Sequence, residues 1–216
     1  METTHSKNSG EERFDVAKVF RRETWCIGES AFAVLLLLIG TSMLDGFYGS
    51  YYNLNQLVFD AFDAPVSIIG IFFGASYAVN ATAYIAADFF SSRFGKRNTM
   101  LGSMLIEAGL FMILPWFASN PLCLFGLSMV LCFLPEVVYI TSENLIQDAI
   151  ADDLRATILS VASLVRALFS AMFFSIFGYV LGLYPIQMAL GVIGAIAIAI
   201  TAVVSLKMVG IHVSKN

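Results

Sequence analysis

Charged residues and histidines are scarce in this sequence. Only 13% of its 216 residues are charged and two are histidines, whereas about a quarter of a typical soluble domain is charged. With 58% hydrophobic residues, the chain is too apolar for a water-soluble globule and for a disordered protein. The formal net charge is −4, so the basic excess of a nucleic-acid-binding protein is missing. These shortages indicate a membrane protein with several spans.

Residues that commonly serve catalysis or metal binding are few and badly placed for either. His5 and His212 lie near the two ends of the chain, which argues against a histidine-based site. Cys26, Cys123 and Cys132 lack the spacing of zinc ligands and resemble small core residues. The sequence contains neither H-E-x-x-H nor G-x-S-x-G, and no glycine-rich phosphate loop. We therefore expect no enzyme activity, no cofactor and no metal site.

Six apolar stretches are long enough to cross a bilayer. A bilayer core of about 30 Å needs roughly 20 helical residues, because each residue rises about 1.5 Å. Spanning segments must satisfy their own backbone hydrogen bonds, so runs of this length are predicted to be α-helices. The expected spans are about 31–52, 66–88, 99–117, 122–140 or one turn further, 158–181 and 186–208. The predicted fold class is an all-α membrane protein with six transmembrane helices.

Basic residues are concentrated in every second connection between the spans. They are Lys18, Arg21, Arg22, Arg93, Lys96, Arg97, Arg155, Lys207 and Lys215. The other connections, which are 53–65 and the turns at 120–121 and 184–185, contain no lysine or arginine. Because cytoplasmic loops are enriched in basic residues, both termini are predicted to be cytoplasmic. We expect a multi-pass protein of the cell membrane, embedded in the lipid bilayer.

The segments outside the spans are polar or amphipathic. Residues 1–10 are predicted to be a disordered N-terminus, and residues 11–27 an amphipathic cytoplasmic segment. That segment fits a solvated lead-in helix as well as a lipid-binding one. The six-span domain is expected to cover 28–210, and 211–216 are expected to form a cytoplasmic tail.

Small residues at four-residue spacing mark faces where helices can approach closely. The first span offers Ser42, Gly46 and Ser50, and the second offers Gly70 and Gly74. These faces are predicted to meet protein rather than lipid, although such stripes identify no function.

The connection between the second and third spans carries a recognisable motif. From Asp88 to Asn98 it reads Asp-Phe-Phe-Ser-Ser-Arg-Phe-Gly-Lys-Arg-Asn. Its core resembles the signature loop of the major facilitator superfamily of transporters. The pattern in that family is glycine, three residues of any type, aspartate, arginine, any residue, glycine and then two basic residues. The run Arg-Ala-Thr-Ile-Leu-Ser at 155–160 is similar to the start of the penultimate helix in the carboxy-terminal half of those proteins.

The motif departs from the family pattern at two positions. Ser92 stands at the aspartate position, and Asp88 stands where the first glycine belongs. In the family, the loop's charges pair at a helix end and close the cytoplasmic side in one state. Asp88 is a candidate for the missing charge in a gating role. Alternatively, Arg93, Lys96 and Arg97 anchor the connection to anionic headgroups.

The resemblance implies half of a transporter. Members of the family have two six-helix halves with the solute between them, and each half is built from two three-helix repeats. This chain supplies the spans of one half, resembling the carboxy-terminal one. The other half would come from a second copy in a homodimer, from a companion six-span chain, or from the rest of a longer gene.

The function that this resemblance implies is secondary active transport of a small-molecule substrate by alternating access, with protons as the candidate coupling ion. The alternative is a non-transporting membrane scaffold or a degenerate half-transporter. Aromatic residues and acids in a cavity suit cationic amphiphiles and sugars equally well.

Ionisable residues inside spans are costly in lipid and are therefore functional candidates. Asp45 and Glu136 lie on the first and fourth spans, which line the cavity in the family. A buried carboxyl group can take up and release protons near neutral pH, so both are candidates for proton coupling or substrate binding. The alternative is a carboxylate that pairs with a neighbour or reaches interfacial water.

Glu107 and Arg166 are two further candidates within the third and fifth spans. For Glu107, a structural hydrogen bond or ion pair is the favoured role. Arg166 is a possible partner of Glu107, Glu136 or a substrate anion, and an internal ion pair is the favoured interpretation.

Aromatic and polar side chains of the first two spans are candidates for lining the cavity. They are Tyr48, Tyr51, Tyr52, Tyr77, Asn80 and Tyr84. On the second span, the last three share a helical face with Asp88, and hydrogen bonding between helices is the alternative role of that face. Glu143, Asp148, Asp152 and Asp153 are expected in a solvated acidic linker on the cytoplasmic side.

Overall fold

A computed structural model of the chain describes residues 31–117, 119–148, 150 and 155–209. They form six α-helices, which are α1 (Ala31–Ala61), α2 (Val66–Phe94), α3 (Lys96–Phe117), α4 (Pro121–Asp148), α5 (Arg155–Leu183) and α6 (Ile186–Val209). The predicted all-helical fold is confirmed for this part of the chain. Several predicted features lie outside the described residues, namely the segments 1–10, 11–27 and 211–216 with their charges, histidines and Cys26, and also Asp152 and Asp153.

The five helices from α2 to α6 are long and apolar enough to cross a membrane. This finding supports insertion of the chain into a membrane. α1 has 31 residues and is also long enough, because about 20 residues suffice.

Three helices continue beyond the predicted spans. α1 reaches Ala61, α2 reaches Phe94 and α4 reaches Asp148, whereas the predicted spans end at about residues 52, 88 and 140. A helix can nevertheless continue beyond the hydrocarbon core, because its backbone hydrogen bonds are internal to the helix wherever its side chains lie.

The connection between α2 and α3 consists of a single residue, Gly95. Its φ is +84°, a left-handed conformation that glycine adopts without steric cost. The backbone N–H of Gly95 donates to the carbonyl oxygen of Ser91 at 2.9 Å. The motif read as a loop is therefore almost entirely helical, with Ser92 and Arg93 ending α2 and Lys96 and Arg97 opening α3.

The helices pack in a defined set of pairs. α1 packs most extensively on α5, α2 packs on α4, and α3 packs on both α4 and α6. α1 also contacts α4 and α6. At the centre, the ring of Phe47 packs edge-on against Phe111, Phe173 and Phe177, which brings α1, α3 and α5 together.

α1 and α5 approach each other closely at Gly46. A Cβ atom added to Gly46 would lie 2.7 Å from the backbone nitrogen of Ser170. The hydroxyl of Ser50 donates to the carbonyl oxygen of Ser170 at 2.8 Å, so the predicted packing face of the first span is confirmed. Gly70 and Gly74 of α2, by contrast, face open space in this chain, so the predicted packing face of the second span is not used here.

Candidate functional site

One guanidinium group holds together three helices. The Nε atom of Arg166 on α5 lies 2.7 Å from the Oδ2 atom of Asp45 on α1. Its Nη2 atom lies 3.6 Å from the Oε1 atom of Glu143 on α4. The three side chains are 22%, 26% and 26% exposed, respectively, so the ion-pair network is only partly shielded by the helices around it.

Two further residues of α4 complete what we call the charged cluster, defined as Asp45, Glu136, Tyr139, Glu143 and Arg166. The guanidinium carbon of Arg166 lies 4.3 Å from the centre of the Tyr139 ring, within the range of a cation–π interaction. The half-buried carboxyl group of Glu136 interacts electrostatically with Asp45 and Arg166. Glu136 is therefore a third carboxyl group within electrostatic range of the guanidinium, beyond the two that pair with it.

The geometry of the charged cluster permits exchange of partners. Arg166 pairs with Asp45 at close range and with Glu143 at longer range. If a proton or a cationic group neutralised Asp45, the guanidinium would turn toward the remaining carboxylates, because opposite charges attract strongly where little water screens them. Such a site can bind cations or protons and can couple their binding to helix positions.

Polar side chains also connect α2 to α1 and to α4. The hydroxyl groups of Tyr52 and Ser76 lie 3.1 Å apart. With its amide oriented to satisfy its surroundings, Asn80 donates to the carbonyl oxygens of Ser76 and Cys132, each at 3.2 Å. Tyr52 and Asn80 thus link helices, which is the alternative role that the sequence offered for the polar face of the second span.

The other candidates for lining the cavity separate into two environments. Tyr48 and Tyr51 are 3% and 2% exposed and pack against the Phe111 ring, with centroids 5.6 Å and 4.6 Å from it. Tyr77 and Tyr84 are 71% and 57% exposed on the outside of α2. The structure therefore does not bring the six predicted residues together on one surface.

Arg166 forms an internal ion pair, as the favoured interpretation held, but with partners that the sequence did not suggest. Its guanidinium pairs with Asp45 and Glu143, rather than with Glu107 or Glu136. Glu107 is completely buried on α3, and both of its carboxyl oxygens lack a hydrogen-bond partner among the described residues. The structural bond expected of Glu107 is therefore not formed within this part of the chain.

The motif between the second and third spans contributes an ion pair elsewhere. Lys96 at the start of α3 pairs with Asp148 at the end of α4. Ser92 donates to the carbonyl oxygen of Phe89 at 2.8 Å within its own helix. Asp88 and Arg93 are exposed on α2, and Arg97 is half-buried at the start of α3.

Tyr139 and Glu143 were not predicted as members of the charged cluster. Glu143 and Asp148 were expected in a solvated linker, which was wrong because both lie on α4. The signal was present in the spacing, since Glu136, Tyr139 and Glu143 recur at intervals of three and four and so share one helical face. Because the predicted span ended at about residue 140, Glu143 was not recognised as part of this face.

Comparison with known proteins identifies no relative of this chain. No protein-family model, no curated protein and no solved structure matches the sequence or the fold. A function therefore has to be inferred from the chain's own residues and their geometry.

Proposed function

We propose that this chain is one six-helix half of a secondary active transporter, which moves a small solute across the cell membrane by alternating access. In this proposal α1 crosses the membrane together with the five apolar helices, which gives six spans, and both termini are cytoplasmic. The chain then resembles the carboxy-terminal half of major facilitator superfamily proteins. The observation that carries the proposal is the charged cluster, which joins α1, α4 and α5 and is only partly covered by the helices around it.

The partial exposure of the charged cluster is the key physical point. Ionisable side chains are expensive in hydrocarbon and normally face the interior of a helix bundle or a water-filled cavity. About a quarter of the surface of Asp45, Glu143 and Arg166 remains open. Contact of this surface with lipid is unfavourable, so water and a second protein surface are its natural neighbours.

The packing of the helices supports an internal repeat of three helices. In such a repeat, α1, α2 and α3 are equivalent to α4, α5 and α6, respectively. The contact of α1 with α5 is then equivalent to the contact of α4 with α2. The contacts of α1 with α4 and of α3 with α6 each join two equivalent helices. All of these contacts are present, and this is the pattern expected of two three-helix repeats within one half.

A second copy of the chain is the favoured source of the missing half. Among the five apolar helices, α2 and α5 are the least covered, with 22% and 11% of their apolar windows buried. Gly70 and Gly74 on α2 and Gly178 and Gly182 on α5 have open space beside them. Small residues on exposed faces allow another helix to approach closely in lipid, so these two helices are suited to the contact between halves.

The charged cluster supplies a coupling mechanism for this transporter. With Asp45 ionised, Arg166 ties α5 to α1. When Asp45 takes up a proton or meets a cationic solute, the tie weakens and Arg166 moves toward Glu143 and Glu136 on α4. A ligand that binds one arrangement better than the other shifts the population of the bundle toward it.

The mass of the purified protein tests the need for a second half. The mass of the particle in detergent, corrected for bound detergent and lipid, should be twice the mass of one chain, because a closed cavity needs two halves. Cross-linking through cysteines placed at Gly74 should trap the dimer. A strictly monomeric particle that is functional in no assay would contradict the proposal and favour a non-transporting scaffold.

Reconstitution tests transport directly. Vesicles containing a trapped pH-sensitive dye are given gradients of cationic amphiphiles and of sugars, and a transported solute should produce a saturable change of internal pH. Asp45→Asn and Glu136→Gln should abolish this pH change. Asp60→Asn, at the end of α1 and away from the charged cluster, is the matched control and should retain it.

A further inference from the structure

The side chain of Glu107 is the most deeply buried acidic group in the described part of the chain. It lies midway along α3 with 0% of its surface exposed. Neither carboxyl oxygen has a hydrogen-bond partner among the described residues. Because a charged carboxylate is normally paired or hydrogen-bonded when it is removed from water, this environment is unsuited to an ionised side chain.

The groups around Glu107 offer no compensating positive charge. From α1, Asp45 and Tyr48 act on it electrostatically, and Asp45 is itself acidic. From α4 the titratable neighbour is Cys132, while the described side chains of α6 up to Leu206 include no titratable group. On α5, Arg166 is occupied by Asp45 and Glu143. The titratable residues Tyr77, Tyr84 and Asp88 of α2 are exposed on its outer surface.

Two more buried polar groups lie in the same part of the core. They are the hydroxyl groups of Tyr48 on α1 and Thr201 on α6, which are close enough to interact electrostatically. Both residues are almost completely buried, and neither hydroxyl reaches hydrogen-bond geometry with a partner in the described residues. Unsatisfied buried polar groups are rare in native proteins and call for an explanation. A purely structural acid would be expected to use such neighbours as hydrogen-bond partners.

We propose that Glu107 is a proton-binding site separate from the charged cluster, a neutral carboxylic acid that exchanges its proton with water only when α3 moves away from α1 and α6. In the exchange, the O–H bond of the carboxyl group breaks and the proton passes to a water molecule, which leaves a carboxylate. Closure of the helices requires the reverse step, because the closed core does not accommodate the charge. The unsatisfied hydroxyls of Tyr48 and Thr201 give the entering water two hydrogen-bond partners.

This inference rests on the proposed function in one respect, because alternating access supplies the helix movement that opens the core. The protonated state itself does not depend on transport. It can be observed in the reconstituted protein without knowledge of the solute.

Infrared spectroscopy of the reconstituted native protein, with its glutamates labelled with carbon-13 at the side-chain carboxyl, tests the proposal. At neutral pH we expect a carbonyl band of a protonated carboxylic acid that shifts on labelling. Glu107→Gln should lose this band, and the matched control Glu136→Gln should keep a band at the same position. A native spectrum without a label-sensitive band, or a band that persists in Glu107→Gln, overturns the proposal. If Glu107→Gln does not fold, the labelled native chain still shows whether a protonated glutamate is present.

Transfer into deuterated buffer tests the exchange step. The Glu107 band should shift to the frequency of the deuterated acid, and the shift should be slower than exchange of exposed amides because the core must open first. A band that never shifts would overturn the exchange and identify a permanently closed structural acid. If no solute is transported while the band still shifts, the transport proposal fails and the proton-binding site stands.

Discussion

The Nε atom of Arg166 in α5 lies 2.7 Å from the Oδ2 atom of Asp45 in α1. The next residue of α1, Gly46, meets the backbone of α5 at Ser170. Charge pairing and a close approach of the two helices therefore involve adjacent positions of α1. This arrangement fixes the distance between the two helices at the charged cluster, and it makes the ion pair sensitive to small movements of either helix.

Removing Arg166 should destabilise the protein more than removing both partners of the ion pair. Arg166→Met leaves Asp45 without its counter-charge, and we expect a loss of about 2 kcal/mol, since the pair is neither fully exposed nor fully buried. Asp45→Asn combined with Arg166→Met should recover part of that loss. Thermal unfolding in detergent, followed by circular dichroism, measures both. Equal destabilisation by the single and double substitutions would contradict the expectation that Asp45 is left as an uncompensated charge.

Gly46→Ala should destabilise the contact between α1 and α5. The added methyl group would lie 2.7 Å from the backbone nitrogen of Ser170, and overpacking of this kind costs about 1–3 kcal/mol. Gly70→Ala is the matched control, because nothing lies within 4 Å of its added Cβ. It should be neutral or slightly stabilising, since alanine favours helix more than glycine does. A lower melting temperature for Gly70→Ala than for Gly46→Ala would contradict the packing.

Lys96→Ala should have little effect on stability. Its side chain and that of Asp148 are 37% and 61% exposed, and exposed ion pairs contribute about 1 kcal/mol or less. The proximity is better tested by replacing both residues with cysteine, which should allow efficient cross-linking of α3 to α4. The combination of Asp60→Cys with Asp148→Cys is the control and should not cross-link within one chain. Cross-linking is read as a shift in gel mobility that reducing agent reverses.

Labelling from outside should distinguish the two ends of the bundle. In a background without Cys26, Cys123 and Cys132, single cysteines are placed at Lys96 and at Asp60. Because basic connections stay in the cytoplasm, an impermeant maleimide added to intact cells should label the cysteine at 60 and should label the one at 96 only after lysis. Labelling of both positions in intact cells would contradict the proposed orientation.

The number of helices could be predicted from the sequence, but the positions of their ends could not. Length and apolar composition were enough to predict six helices, because both are dictated by the thickness of the bilayer. The helices continue past residues 52, 88 and 140, where the predicted spans end, because hydropathy reports where lipid stops, whereas a helix stops where its backbone hydrogen bonds do. Gly95 shows the difference, since the chain remains helical through polar residues up to that single glycine.

The candidate site was predictable only in part. Asp45, Glu136 and Arg166 were identified because an ionisable side chain is costly in a membrane. That cost can be recognised from one residue without knowledge of its neighbours. Their partners depend on which helices pack together, and no local pattern contains that information. Tyr48 and Tyr51 illustrate the same limit, because an aromatic stripe fits a cavity wall and a packed core equally well. The buried contacts with Phe111 decide for the core.

Gly95 has a mechanical consequence for the whole bundle. Because one residue joins α2 to α3, the end of α2 and the start of α3 cannot move apart, so a displacement of this end of α2 also displaces the start of α3. Glycine allows many backbone conformations, so the angle between the two helices can change at this point. The ion pair of Lys96 with Asp148 links the same junction to the end of α4.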